Sequence, residues 1–597
     1  MFFYVCGLIL HRCVQKIIHN NRGYRKKNDK SLYTFKKGAN DYFPIRIMFD
    51  FELIYNSDKF MCYEPEQDIS WLLGTYTCSE SDILTEQKIH VLEDSLNNIN
   101  DYLSSLIQVP RTNNKITTNV IEDILISEKT YSTIDLHISV VSRPFGDSNR
   151  NQTVAASLFD QTSPVTNRPI TAGLYINPSA IPNISQNYNS MHREFFTGIL
   201  HECFHILGIN EEAYPLWIHR KTGLPYGSSL PLNDYSKENE YPNKVFTVLH
   251  TPLLRKFFNQ RFNHRRISKS IPPGLILEDY NSDISHPKGS IYMHELMTTN
   301  SIHPISISDL SLTLLEATGW YTCNFSMAEP LLWGVNSSIN GSPPSLSIPS
   351  DYMCDERQSL SNITISYDYS GPAVCSKIVH DVNCNETFNE NEKIFCQSQL
   401  FYDPNKTNSR GLKPSLDFIH HKIPILEQSC LYTENNLKNH YGEYYGIDSI
   451  CTHSTLNQTD HYPRCYKMEC TDNNTKLFIF YGNESLLCKY DGYNLEFENK
   501  TVSIECPPLE MICTILSYRN TTFTEPQRES TAKYPPQLIL IIAVSVVICG
   551  VGIVILVSIL ITKHIQRNKD LNDADILSIA SGFESSNSVR VVLLEEQ

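Results

Sequence analysis

The sequence predicts an α+β fold carrying a disulfide-rich C-terminal region and one membrane-spanning helix. Three patterns lead there. An amphipathic helix, two alternating strands and a second helix follow one another over residues 85–208. Cysteines crowd into residues 323–513. An uncharged run of 24 residues, Leu538–Ile561, lies close to the C-terminus.

The first helix is read over "LTEQKIHVLEDSLNNINDYLSSLIQVP". Ile89, Leu92, Leu96, Ile99, Leu103 and Leu106 recur at spacings of three and four and form one apolar stripe. Thr85 caps its start and Pro110 stops it. Ile134, Leu136, Ile138 and Val140 then alternate with polar residues, the pattern of a half-buried strand ending near Pro144. Ala172, Leu174 and Ile176 repeat it. A second helix covers roughly 191–207, with Gly208 as its C-terminal residue. Residues 209–285 are rich in Pro, Tyr and Asn and read as an insertion with modest secondary structure.

Eighteen cysteines are present. Setting aside Cys6, Cys13, Cys203 and Cys549 leaves fourteen, an even number that predicts up to seven disulfides in an oxidising compartment. Cys62 and Cys78 stand apart from the rest and are expected to pair. Thirteen Asn-x-Ser/Thr sequons all precede Leu538. At about 1.5 Å per residue the uncharged run is long enough to cross a hydrocarbon core of about 30 Å. Lys563, Arg567 and Lys569 follow it, which places the tail in the cytosol and the rest outside, a single-pass type I arrangement in the cell membrane.

The resulting division is a short signal peptide at 1–10, a basic propeptide-like segment at 11–45, and an N-terminal catalytic subdomain at 46–208. An insertion with the third ligand occupies 209–322, and a glycosylated Cys-rich domain 323–520. A stalk at 521–537, the membrane helix at 538–562 and a cytosolic tail at 563–597 complete it. The formal charge is −15, but residues 1–40 carry nine Lys/Arg against Asp29, so the remainder holds about −23. Such a body lacks the basic face that nucleic-acid binding requires.

Chemistry concentrates in "GILHECFHILGINEEAY", residues 198–214. His201 and His205 lie one helical turn apart on one face and can reach one Zn²⁺, one ion per chain. Glu202 between them is placed to act as general base towards an attacking water. HExxH also arises by chance in chains of this size on the order of a few per cent of the time, so the third ligand decides. Glu211 and Glu212 come soon after Gly208, and Glu238 and Glu240 have the spacing of a peptidase whose third ligand is a glutamate. Among histidines, His219, His250, His264, His286, His294 and His303 are candidates, and spacing alone does not choose. His286 is singled out by a methionine downstream of it: Met297 lies eleven residues on, in "HELMTTN". A Met beneath a zinc site is a Met-turn, a soft apolar side chain under the metal-binding histidines.

With these motifs the chain resembles the leishmanolysin family of surface zinc endopeptidases, members of the metzincin clan. In that family a long insertion separates the HExxHxxG helix from the third His, and the Met-turn carries "ELM". The stretches "RPITAGLYINPSAI" and "LTLLEATGWYTCNFSMAEPLLWG" are also similar. The resemblance implies a metzincin-like catalytic domain, His201, His205 and His286 as zinc ligands, Glu202 as general base and Met297 as the Met-turn residue. It implies protein or peptide substrates. Pro287 stands where the family usually has Trp, and His294 remains a rival ligand. The family's propeptide carries an HxCxH-like sequence whose thiolate holds the zinc. His11-Arg12-Cys13-Val14-Gln15 matches its first part and nominates Cys13 as a latency switch. Cys203 is expected to be buried packing, since a fourth protein ligand closes the site to water. The rival readings are a peptidase with Glu238 or Glu240 as third ligand, and a non-catalytic surface adhesin on a protease scaffold. Cell adhesion is compatible with proteolysis.

Overall fold

The computed structural model describes Lys563 and residues 42–331 and 363–522 apart from shorter internal stretches, among them 146–152, 238–240, 263–273, 279–283, 300–304, 376–378, 381–408 and 411–420. The chain divides into two units, Met1–Phe523 and Thr524–Gln597. The apolar run Leu538–Ile561 lies outside the described residues. Among the described residues no helix is long and apolar enough to cross a membrane.

The first unit is built on a four-stranded sheet. Strands β1 (Ile47–Asp50), β2 (Leu136–Ser142), β3 (Ala155–Phe159) and β4 (Thr171–Ile176) lie in the order β1-β2-β4-β3. β1 and β4 run parallel to β2, and β3 is antiparallel to β4 at the sheet edge. Helix α1 (Glu86–Leu106) starts at the Thr85 side chain, which accepts from the Lys88 amide at 3.3 Å. It ends four residues before Pro110, because Ile107–Pro110 turns into a strand paired antiparallel with Tyr42–Pro44. The apolar stripe thus closes at Leu106, and Pro110 ends a strand rather than the helix.

Alternation predicts a half-buried β2, yet all seven of its residues are buried, and the same holds throughout β4. Both sheet faces are covered, as parallel strands require. Ile138, Val140, Ala172 and Leu174 pack with α1 residues Leu92, Leu96, Ile99 and Leu103 and with helix α2 (Glu194–Ile206). On the opposite face Val141, Leu158 and Tyr175 meet Trp71, Phe145 and the Cys62–Cys78 disulfide. Trp71 stacks on Tyr175 with ring centroids 5.4 Å apart. The buried Arg143 guanidinium lies between the Phe60, Trp71 and Tyr175 rings and pairs with Asp58 at 2.6 Å. The alternation in the sequence locates the strands. Only the second, disulfide-stapled layer explains why the polar position Ser139, on the same face as Val141, is buried too.

The insertion is more regular than its composition predicts. β5 (Leu232–Lys237) and β6 (Tyr241–Leu249) form an antiparallel pair, and helix α3 (Pro252–Phe262) comes next. β7 (Leu275–Ile276) then pairs with the end of β6. Helix α4 (Asp309–Ala317) is capped by Ser308, whose side chain accepts from the Leu310 amide.

Residues beyond 440 form an antiparallel six-stranded sheet. Its strands β8 (Ser449–Ser454), β9 (Tyr462–Thr471), β10 (Lys476–Tyr481), β11 (Glu484–Leu487), β12 (Asn494–Phe497) and β13 (Val502–Glu505) take the order β11-β10-β9-β8-β13-β12. Helix α5 (Leu509–Thr522) packs Ile512, Ile515 and Leu516 into the same core. Cys430–Cys465, Cys470–Cys513 and Cys488–Cys506 staple this region. Cys323 and Cys451 are free thiols, which leaves twelve of the fourteen and so at most six bridges instead of seven.

Candidate metal centre

Helix α2 is buried from Phe195 to Ile206. Its first amides are satisfied from outside: the Gln186 side-chain oxygen accepts from Phe195 and Phe196 at 2.9 and 3.1 Å. Gly198 permits a close approach to the sheet, since a Cβ there would sit 3.1 Å from Val154. One turn apart, the His201 and His205 rings lie 4.6 Å from each other, with Nε2 atoms separated by 2.9 Å.

Gly208 turns the chain with φ +110°, and an added Cβ would lie 2.5 Å from the Trp320 ring. No side chain fits that position. The turn brings the Ile209 carbonyl back to His205 Nδ1 at 2.6 Å. Asn210 seals it by donating to the His205 carbonyl at 2.7 Å and accepting from the Ala213 amide at 2.8 Å.

His286 arrives from the far end of the insertion. The Glu278 amide donates to the His286 carbonyl, and the Lys288 amide donates to the Ile276 carbonyl. Between these bonds Leu277 faces Pro287 across an antiparallel bridge. That is the non-hydrogen-bonded type of pair, in which neither residue donates to the other, so Pro287 costs the ladder nothing. Lys288 and Glu278, both buried, pair at 2.8 Å across the same ladder.

The three rings meet. His205 Nε2 lies 3.1 Å from His286 Nε2, and one ligand atom from each of His201, His205 and His286 falls within 4.8 Å of the others. All three residues are buried. His201 Nδ1 bonds the Leu296 carbonyl at 2.7 Å. A carbonyl only accepts, so Nδ1 of His201 and of His205 each carries the proton, and the Nε2 atoms present lone pairs to one another. Lone pairs at 2.9 Å repel unless a cation lies between them. Three imidazoles on zinc at about 2.0–2.1 Å sit roughly 3.3 Å apart in tetrahedral geometry. The donor set therefore fits the ion that the HExxH pattern implies.

Met297 is fully buried in the adjoining turn. The residue before it supplies the carbonyl that fixes His201, a contact with no signature in the sequence. Glu295 holds the turn: it accepts from the Met297 amide at 2.6 Å and from Ser308 and Ser311. Burial pushes its carboxyl up to about 7 from 4.5, only partly opposed by these donors. The folded chain thus keeps a proton that the unfolded chain releases. The stability this gives is complete below pH 4.5 and is lost as pH rises through 7. Glu295→Gln removes the dependence. Relative to wild type, the metal-free variant is expected to gain roughly 3 kcal/mol in unfolding free energy between pH 4.5 and 7. Urea unfolding at fixed ionic strength measures it, and a pH-independent difference contradicts it.

The other candidates lie elsewhere. His294 is buried against Tyr367, with ring centroids 4.9 Å apart, outside the histidine cluster. Burial, aided by the Arg261 cation, lowers it to about 3. Glu211 and Glu212 are exposed, and the Glu211 amide donates to Ser285 beside His286. Cys203 is buried in the core, and burial raises its thiol far above the usual range. Cys13, Glu238, Glu240, His264 and His303 lie outside the described residues.

Glu202 is fully buried beside β3, and Ser157 of that strand donates to its Oε2 at 2.8 Å. Sequence patterning alone points to neither β3 nor Ser157. The one available signal is the short apolar run "VAASLF" between two polar loops.

The sequence model of leishmanolysin matches residues 13–341, more than half of the chain and all of the histidine cluster. The chain belongs to the leishmanolysin family. Within it, the chain is 24% identical over 425 residues to the leishmanolysin-like peptidase of Drosophila melanogaster, covering 60% of this chain and 61% of that protein. It is 22% identical over 307 residues to the ciliated left-right organizer metallopeptidase of Danio rerio, covering 48% and 41%. It is 26% identical over 196 residues to the leishmanolysin-like peptidase of Caenorhabditis elegans, covering 28% of each. The chain thus spans at most about 61% of the length of these relatives. The family match ends at residue 341, so the six-stranded sheet lies beyond it.

Proposed function

We propose that the chain is a zinc-dependent endopeptidase that hydrolyses peptide bonds of proteins, with His201, His205 and His286 holding one ion and Glu202 as general base. The observation that carries this reading is the convergence of three buried Nε2 atoms, two of them fixed as lone-pair donors by backbone carbonyls. Zinc bound there supplies Lewis acidity, polarising the scissile carbonyl and lowering the pKa of water towards neutrality. Glu202, next to His201 on the helix, takes the proton of the attacking water and returns it to the leaving amine. Met297 gives the histidines an apolar floor.

The peptidase faces outward and is tethered by Leu538–Ile561. Support comes from that uncharged run, the cations after it, and the four described disulfides. Cys13 would hold the precursor latent by offering its thiolate to the ion's site, a role supported by His11-Arg12-Cys13.

The test uses the full chain purified in detergent, with its N-terminus sequenced so that the state of the basic segment is known. One zinc per chain is expected, with cleavage of a quenched fluorescent peptide that a chelator abolishes and added zinc restores. Cleavage that persists in metal-free protein overturns the metal reading. A zinc-loaded, processed chain that cleaves nothing favours the adhesin.

A further inference from the structure

We propose that Ser157 is a positioning residue for the reaction: its hydroxyl fixes the carboxylate of Glu202 from the edge strand of the sheet. This rests on the reading of Glu202 as general base. The hydroxyl donates to Glu202 Oε2 at 2.8 Å, and the Glu202 main-chain carbonyl lies 3.0 Å from the same oxygen. Both residues are fully buried. A buried carboxylate on a helix has several rotamers, and a general base is effective only in the one that meets the attacking water. A hydrogen bond to a charged acceptor is among the stronger ones available to hold it there.

The surrounding packing is organised around this contact. Gly198 and Glu202 lie one turn apart on the face of α2 that packs on β3. At Gly198 the helix comes so close that a Cβ would meet three Val154 side-chain atoms at 3.1–3.2 Å. A larger residue there would push the helix from the strand and stretch the short reach of a serine to the carboxylate. On the strand, Ala155, Ser157 and Phe159 alternate onto one face; Ala155 and Phe159 join the core shared with α2. Ser157 is the polar member of that face. The second acceptor, the main-chain carbonyl, keeps the buried hydroxyl bonded whichever way the carboxylate turns, so the serine carries no desolvation penalty of its own.

The experiment compares full-length wild type, Ser157→Ala, Ser157→Thr and Glu202→Ala. For each, zinc per chain, the unfolding midpoint of the metal-free protein, and kcat and KM on one peptide are measured. Ser157→Ala is expected to lose about tenfold to a hundredfold in kcat, with KM, zinc content and unfolding midpoint close to wild type. Ser157→Thr keeps a hydroxyl on the strand and is expected to recover most of kcat. Wild-type kcat in Ser157→Ala, with Glu202→Ala inactive, overturns the inference alone. A loss in Ser157→Ala that falls on KM, zinc or midpoint and is not recovered by threonine also overturns it, since the serine then only fills space. Undiminished cleavage by Glu202→Ala overturns the general-base reading, and the inference with it.

Discussion

His286→Ala is expected to cost the chain its zinc and its peptidase activity together. Removing an outer partner of a metal ligand typically costs about 10–100-fold in affinity, and loss of a ligand itself costs more. Two imidazoles on one helix remain, and they leave half of a tetrahedral shell to be filled by water. The substitution is also informative about the rival. If Glu238 or Glu240 completes the shell, His286→Ala retains both metal and cleavage, and metal analysis of the purified variant distinguishes the outcomes directly. The His294→Ala variant is the matched control. His294 lies against Tyr367 outside the cluster, so it is expected to keep zinc at wild-type stoichiometry.

Lys288→Met is expected to destabilise the metal-free chain by about 3–5 kcal/mol, the usual cost of breaking a buried ion pair from one side. Lys288 and Glu278 are 1% and 0% exposed, and their charged atoms lie 2.8 Å apart. The methionine matches the lysine stem in volume but leaves the buried Glu278 carboxylate without that ammonium. Pairing Lys288→Met with Glu278→Leu removes both charges, and the double variant is expected to regain most of the loss. Denaturant unfolding of the four proteins gives the coupling directly; a double variant no better than Lys288→Met refutes it. Because the pair straddles the ladder that carries His286, zinc affinity is expected to fall in the single variant and recover in the double.

Much of the centre is legible in the sequence because helical periodicity is a local property. His201, Glu202, His205 and the Gly208 turn come from spacing within one segment. Their partners do not. The carbonyls of Leu296 and Ile209 that fix the histidine tautomers are backbone atoms, which every residue possesses, so no side-chain pattern marks them. Ser157 sits on an edge strand of five residues, too short for a periodic signal. Alternation locates strand β2 but misjudges its burial, because it reports one covered face and the Cys62–Cys78 lobe covers the other. The insertion reads as irregular since its strand pairing spans residues whose composition favours turns, and pairing decides strands more than propensity does. Pro287, which departs from the family pattern, becomes intelligible only from its place between two ladder hydrogen bonds.

The separation of 81 residues between His205 and His286 gives the ion a second consequence. A metal that joins them closes a loop as a covalent cross-link does. In the chain-entropy description, closure of a loop of about 80 residues restricts the unfolded ensemble by ~4–5 kcal/mol. Loop entropy also grows slowly: doubling the segment adds only about 0.6 kcal/mol. The stretch between the helix and the third histidine is therefore a place where chain length can drift between relatives at little thermodynamic expense, provided that the Leu277–Pro287 bridge and the Lys288–Glu278 pair return His286 to the same point.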